Sequence, residues 1–114
     1  DAAAFYAAER ENRRATGMPP FGRLAALVVS SIDGGKAERA AAELRRAAPP
    51  ANGIELWGPA PAPLARLRGR YRFRLLVHAR RTAPLQQWLH AWLAAVPLPA
   101  AVRVQVDVDP QSFL

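Results

Sequence analysis

The residues in this chain best suited to chemistry are arginines. Arg66, Arg68, Arg70, Arg72 and Arg74 recur at every second position. A guanidinium fork matches phosphate and carboxylate geometry, so such a row could line a phosphate-binding surface. Each phosphate neutralised would release counterions, and binding would weaken steeply with salt. The same pattern also suits the wet face of an edge hairpin, where charge discourages aggregation. A second basic pair, Arg80 and Arg81, lies just before a helix expected to start near Ala83. Unsatisfied N–H groups at a helix start, together with two cations, would make an anion site. An acidic peptide ending in a carboxylate could dock there, with an apolar pocket beside it. Two ordinary loop arginines are the alternative.

Nothing else in the sequence assembles into a catalytic or metal site. His78 and His90 fall on different predicted elements and have no cysteine to join them, which makes a poor zinc set. Asp107 and Asp109 are two apart, and Asp109-Pro110 reads as a strand-ending turn whose carboxylate accepts backbone N–H bonds. Ser30 and Ser31 lie in a strand that looks buried, without a base. Gly34-Gly35-Lys36 opens a helix and does not match a phosphate loop, and no dinucleotide fingerprint occurs. The expectation is a chain without catalytic residues and without a metal of its own.

The elements that must position the arginines can be read from periodicity. From 70 to 79, Tyr71, Phe73, Leu75 and Val77 alternate with Arg70, Arg72 and Arg74, the period of a half-buried strand. Arg68-Gly69-Arg70 is a tight, hairpin-like centre before it. Residues 23–32 are apolar on both faces at Ala25 to Val29, which predicts a central strand. Asp33-Gly34-Gly35 then turns into a helix over 36–48, with Ala37, Ala40, Ala41 and Leu44 on one stripe. Ile54 to Trp57 is a short strand, broken at Gly58-Pro59 and resumed over Pro63 to Arg68. Thr82 is the expected N-cap of a helix over 83–96, with Pro84 in its first turn. That helix carries Leu85, Trp88, Leu89, Trp92, Leu93 and Val96 at helical spacing. Val102, Val104, Val106 and Val108 point inward from a last strand, while Arg103, Gln105 and Asp107 point outward.

The order is β-α-β-β-α-β. This predicts an α+β, ferredoxin-like domain: a four-stranded antiparallel sheet with both helices on one face and the other face in solvent. Ahead of it, residues 2–15 are strong helix formers with Phe5 and Tyr6 as their large apolar groups. Thr16-Gly17 and Met18-Pro19-Pro20-Phe21 then form a stiff bridge. We divide the chain into a connector over residues 1–20 and a domain over 21–114.

Bulk composition agrees. The chain has 114 residues, 51% of them hydrophobic, enough for one modest core. Its net charge is +7, and 15 of its 16 basic residues are arginine. A GC-rich genome explains arginine over lysine but not the excess of positive charge. Nucleic acid or an acidic peptide is the natural partner class. Cysteine is absent, so disulfides and thiolate zinc are excluded, which is compatible with the expected cytoplasmic location. No apolar run nears the roughly 20 residues of a membrane span. The chain opens on Asp1 without a methionine, and we read it as a fragment of a longer protein.

Three motifs stand in order: Glu9 to Arg13 leading into Met18-Pro19-Pro20-Phe21, Gly58-Pro59-Ala60 with Arg66 to Arg74, and Asp107-Val108-Asp109-Pro110. Together they resemble the C-terminal region of the PriA family, the bacterial primosomal protein N′, a replication-restart DNA helicase. The likeness covers nearly the whole chain. It implies a ferredoxin-like domain similar to a small-subunit ribosomal protein. It also implies a role in recognising branched or single-stranded DNA at abandoned forks, and in contacting the acidic C-terminal tail of the single-stranded DNA-binding protein SSB. The helicase core of the same chain and other primosome proteins are further implied partners. The 3′→5′ unwinding activity, with its ATP, magnesium and zinc, would belong to the rest of the full-length protein, and no cofactor is expected in this fragment. The Pro-Pro-Phe, Gly-Pro and Asp-Val-Asp-Pro residues read as structural. Arg66 to Arg74 are our candidates for DNA, and Arg80 and Arg81 for the SSB tail. Two alternatives stand beside this: a purely structural docking module for the helicase core, and a free-standing RNA-binding domain, against which the missing aromatic signature argues.

Overall fold

The computed structural model describes residues 22–109. The connector helix, the Pro-Pro-Phe bridge, the boundary at 20/21 and Pro110 lie outside them. Six elements follow in the expected order: β1 (Arg23–Ser31), α1 (Gly34–Ala47), β2 (Ile54–Leu67), β3 (Arg70–Ala79), α2 (Leu85–Ala95) and β4 (Arg103–Val108). They form one antiparallel sheet in the order β2-β3-β1-β4. The two β-α-β units interleave, so β1 and β3 are central and β2 and β4 are edges. This is the ferredoxin-like arrangement that the sequence predicts.

Both helices bury their apolar stripes on one sheet face. Ala37, Ala40, Ala41 and Leu44 of α1 and Leu85, Trp88, Leu89 and Trp92 of α2 meet Ala25, Leu27 and Val29 of β1 and Leu75 and Val77 of β3. Each large side chain so buried contributes about 1.5–3 kcal/mol. The alanines of α1 let the helix lie close to the sheet, while the tryptophans of α2 fill the wider gap. Their rings lie 4.9 Å apart. The indole N–H of Trp92 donates to the Leu44 carbonyl at 2.9 Å, and that of Trp88 to the Pro49 carbonyl at 3.0 Å. These bonds satisfy carbonyls at and beyond the C-terminal turn of α1 that have no intrahelical partner.

Several local expectations are corrected. Helix α1 begins at Gly34, with Asp33 as N-cap accepting from the Lys36 N–H. Thr82 does not cap α2. That helix begins at Leu85 with Pro84 in the cap position and no side-chain cap bond. The reason is the turn before it, closed by the Ala83 N–H donating to the Arg80 carbonyl. The predicted break at Gly58-Pro59 is not a break. Strand β2 runs continuously through it, absorbing register shifts between Trp57 and Ala60 and between Pro61 and Arg66. Gly58, at φ +99°, and Leu64, at φ +58°, take the irregular conformations these bulges require.

The face away from the helices is not uniformly solvated. Its Arg70–Arg74 end is accessible, but Leu76, His78, Ala26 and Ala62 on the same face are buried. Trp57 accounts for part of this, since its ring stacks on His78 at 5.3 Å.

Candidate nucleic-acid interface

Alternation along β3 places Arg70, Arg72 and Arg74 on the face opposite the helices. The neighbouring strands extend that set. Ser30 of β1 pairs with Arg72 on one side and Arg103 of β4 on the other, so two arginines flank one small residue. One step along, Val28 sits between Arg74 and Gln105, and a further step puts Ala26 between Leu76 and Asp107. Arg103, Gln105 and Asp107 face outward as the sequence predicts. Their place beside the β3 arginines follows from β4 pairing with β1, a long-range fact that no local pattern carries.

The five candidate arginines of the ribbon do not share one face. The two-residue turn at Arg68-Gly69 pairs Leu67 with Arg70 and so puts Arg66 opposite Tyr71, on the helix side. Its guanidinium sits 5.1 Å from the Tyr71 ring centroid, a cation–π contact. Arg68 occupies the hairpin turn with φ +54°, followed by Gly69 at φ +77°. Positive φ at both central residues is the type I′ geometry that matches strand twist. Arg70 is committed to structure: its Nε donates to the Ser30 hydroxyl at 3.1 Å and its Nη2 to the Ser30 carbonyl at 3.0 Å. Arg72 and Arg74 of β3 and Arg103 of β4 face outward on the open side of the sheet.

Beside these arginines lies a groove of about 600 Å³. Its floor is Ala26 and Val28, and one wall is the bulged part of β2, Ala62 to Leu64. Arg72 and Arg74 stand on its β3 side, and Gln105 and Asp107 on its β4 side. The Arg72 Nη1 donates to the Leu64 carbonyl at 3.1 Å. That bond ties the guanidinium to the wall and fixes its position at the rim.

Arg80 and Arg81 are exposed but do not stand at a helix start. Helix α2 begins four residues after Arg81, and the Arg80 N–H donates to the Gly53 carbonyl at 2.7 Å. The stem of Arg80 lies over Gly53. The helix-terminus part of the anion-site argument therefore does not apply, and what remains is two adjacent surface cations.

No group of three or more metal-ligating side chains occurs among the described residues. His78 and His90 lie on β3 and α2. With no cysteine in the chain, the donors present do not fit a zinc site. None of the described helices is long and apolar enough to cross a membrane.

Comparison with known proteins identifies the lineage. The profile of the family described as the primosomal protein N C-terminal domain matches residues 14–111. The replication restart protein PriA of Rickettsia typhi is 36% identical over 113 residues, covering 99% of this chain and 17% of that protein. The PriA of Treponema pallidum is 36% identical over 116 residues, covering 100% of this chain and 18% of its own length. A probable replication restart protein PriA of Deinococcus radiodurans is 39% identical over 119 residues, or 98% of this chain and 12% of that protein. The chain thus spans less than a fifth of each of these relatives. It belongs to the PriA family, as a primosomal protein N C-terminal domain.

Proposed function

We propose that this chain is a non-catalytic DNA- and protein-binding domain of a replication-restart helicase. It helps the enzyme recognise branched DNA at stalled forks. The observation that carries this reading is the row of Arg72, Arg74 and Arg103 across the open sheet face. These groups can contact successive phosphates of a strand laid over the sheet, which positions DNA without reading its sequence. The ATP-driven 3′→5′ unwinding, with its magnesium and zinc, belongs to the remainder of the full-length protein in the cytoplasm. The relatives' names and the short share of their length that this chain covers support its being one part of a longer replication-restart protein.

The second part of the reading is protein contact. Arg80 and Arg81 offer two adjacent cations to the acidic C-terminal tail of SSB. The helicase core and other primosome proteins are the remaining partners. What supports the SSB site is charge complementarity and exposure.

The test is a titration of the chain with labelled forked DNA at several salt concentrations, beside a variant carrying Arg72→Ser, Arg74→Ser and Arg103→Ser. Wild-type binding should fall steeply with salt, and the variant's slope should be smaller by roughly one for each phosphate it no longer neutralises. No binding at low salt, or equal slopes, would remove this face as the DNA surface. For the tail, a peptide with the acidic SSB terminus should bind wild type and fail to bind Arg80→Ser/Arg81→Ser. Retention in that variant would move the site elsewhere.

A further inference from the structure

The groove on the open face has two chemically different sides. Arg72 and Arg74 on the β3 side suit a phosphate. Asp107, with Gln105, stands on the β4 side. A carboxylate repels phosphate and accepts hydrogen bonds only, so a ligand made of phosphates alone would be opposed by one side of the groove. The ligand that fits both is anionic at one end and carries N–H donors at the other.

The dimensions and the floor narrow the ligand further. β3 and β4 are separated by β1 alone, so the two sides stand about 10 Å apart. That is comparable to the reach from a nucleotide's phosphate to the outer edge of its base. Between them lies β1, which offers Val28 as an apolar floor, while Leu64 of β2 stands beyond the arginines on the far side of β3. Val28 is partly exposed, and a flat ring laid on it would be sheltered from water. The volume lies within the range of sites for small organic ligands.

We propose that this groove takes a single unstacked nucleotide of a single-stranded segment. Its phosphate lies toward Arg72 and Arg74, its base rests on Val28, and its amino edge meets Gln105 and Asp107. This rests on the DNA-binding reading above and extends it from phosphate contact to base contact. A carboxylate accepts from the exocyclic amino group of cytosine, so bases bearing amino groups are favoured over thymine.

The experiment compares a short oligodeoxycytidylate with an abasic strand of the same length, binding to this chain at fixed salt. Both carry the same phosphates, and the base is the difference. The base-bearing strand should bind about tenfold more tightly or better, the effect of sheltering and bonding one base. The preference should collapse toward unity in Gln105→Ala/Asp107→Ala, two exposed positions whose replacement leaves the core intact. The readout is the ratio of the two affinities, because losing the Asp107 charge strengthens binding of both strands alike. Equal affinity of both strands for the wild type would overturn the nucleotide site and leave the phosphate reading standing. A base preference that survives in the variant would also overturn it. Failure of both strands to bind would overturn the DNA-binding reading itself.

Discussion

Asp109 and Leu24 hold each other by two reciprocal hydrogen bonds. The Asp109 N–H donates to the Leu24 carbonyl at 2.6 Å, and the Leu24 N–H donates to Asp109 Oδ1 at 3.1 Å. The second carboxylate oxygen meets the Arg23 Nε at 3.3 Å. Asp109 has φ +53°, a left-handed conformation that Asp and Asn tolerate better than Ala. The last strand is thereby tied to the start of the first. Asp109→Ala should cost about 1–2 kcal/mol, from the missing acceptor and the unfavourable backbone. Asp109→Asn keeps an oxygen acceptor and the conformational tolerance, and should cost less than about 0.5 kcal/mol. Thermal unfolding followed by circular dichroism separates them. The exposed ion pair with Arg23 contributes little, so identical melting of both variants and wild type would mean the side-chain bond from Asp109 to the Leu24 N–H carries no stability.

Arg70 and Arg72 sit two residues apart on one strand face but have different duties. Arg70 is held by Ser30 through two bonds, whereas Arg72 stands at the groove rim. Arg70→Ala should lower stability by about 1–2 kcal/mol while changing the salt slope of DNA binding little. Arg72→Ala loses a single hydrogen bond to the Leu64 carbonyl, so it should lower stability less and reduce the salt slope by about one. A larger loss of salt slope from Arg70→Ala than from Arg72→Ala would show the assignment to be inverted.

Arg68 occupies a turn position that asparagine and glycine prefer. Its φ of +54° places a long side chain in the left-handed region at the hairpin tip. Arg68→Asn should therefore stabilise the chain by about 0.5–1 kcal/mol. If the tip also touches a phosphate, the same substitution lowers the salt slope by about one. A fall in melting temperature would exclude the type I′ turn.

How legible each part was depends on how far the deciding information lay along the chain. The alternation of Arg70 to Val77 and the stripe of α2 are local, and each predicted its buried face correctly; of the last strand's valines, Val102, Val104 and Val108 pack on the core as expected, whereas Val106 is 40% exposed on the edge strand. The ferredoxin-like order followed from them. Strand β2 was misread because glycine, proline and a left-handed Leu64 look like interruptions, whereas pairing with β3 carries the strand across its bulges. The two-residue turn at Arg68-Gly69 sets the parity of Arg66, which spacing alone assigned to the wrong face. The start of α2 depended on whether the Thr82 side chain was used, and the turn at Arg80–Ala83 pre-empts it. The base-side residues of the groove, Gln105 and Asp107, carried an outward signal but no partner until β4 was placed beside β1.

Gly58 is where the bulged strand β2 meets β3 and helix α1. A Cβ there would lie 2.7 Å from the Arg74 carbonyl oxygen and 3.4 Å from the Leu75 Cα, both backbone atoms that cannot swing aside. Its φ of +99° is itself hostile to other residues. Its own carbonyl accepts from Arg45 Nη1 at 2.8 Å, and the Leu56 carbonyl accepts from the same nitrogen at 2.7 Å, so a shift of this segment loosens α1 as well. Gly69 provides the control. It has φ +77° but nothing within 4 Å of an added Cβ. Gly69→Ala should cost about 1 kcal/mol of backbone strain alone, whereas Gly58→Ala adds a backbone collision and should cost about 3 kcal/mol or more. Chemical denaturation of the two variants measures the difference. Because the segment that moves forms the wall carrying Leu64, Gly58→Ala should also weaken DNA binding under conditions where the variant is still folded, and Gly69→Ala should not. Equal destabilisation by the two substitutions would mean that β2 gives way freely at Gly58, and that the groove wall is not held by its close approach to β3.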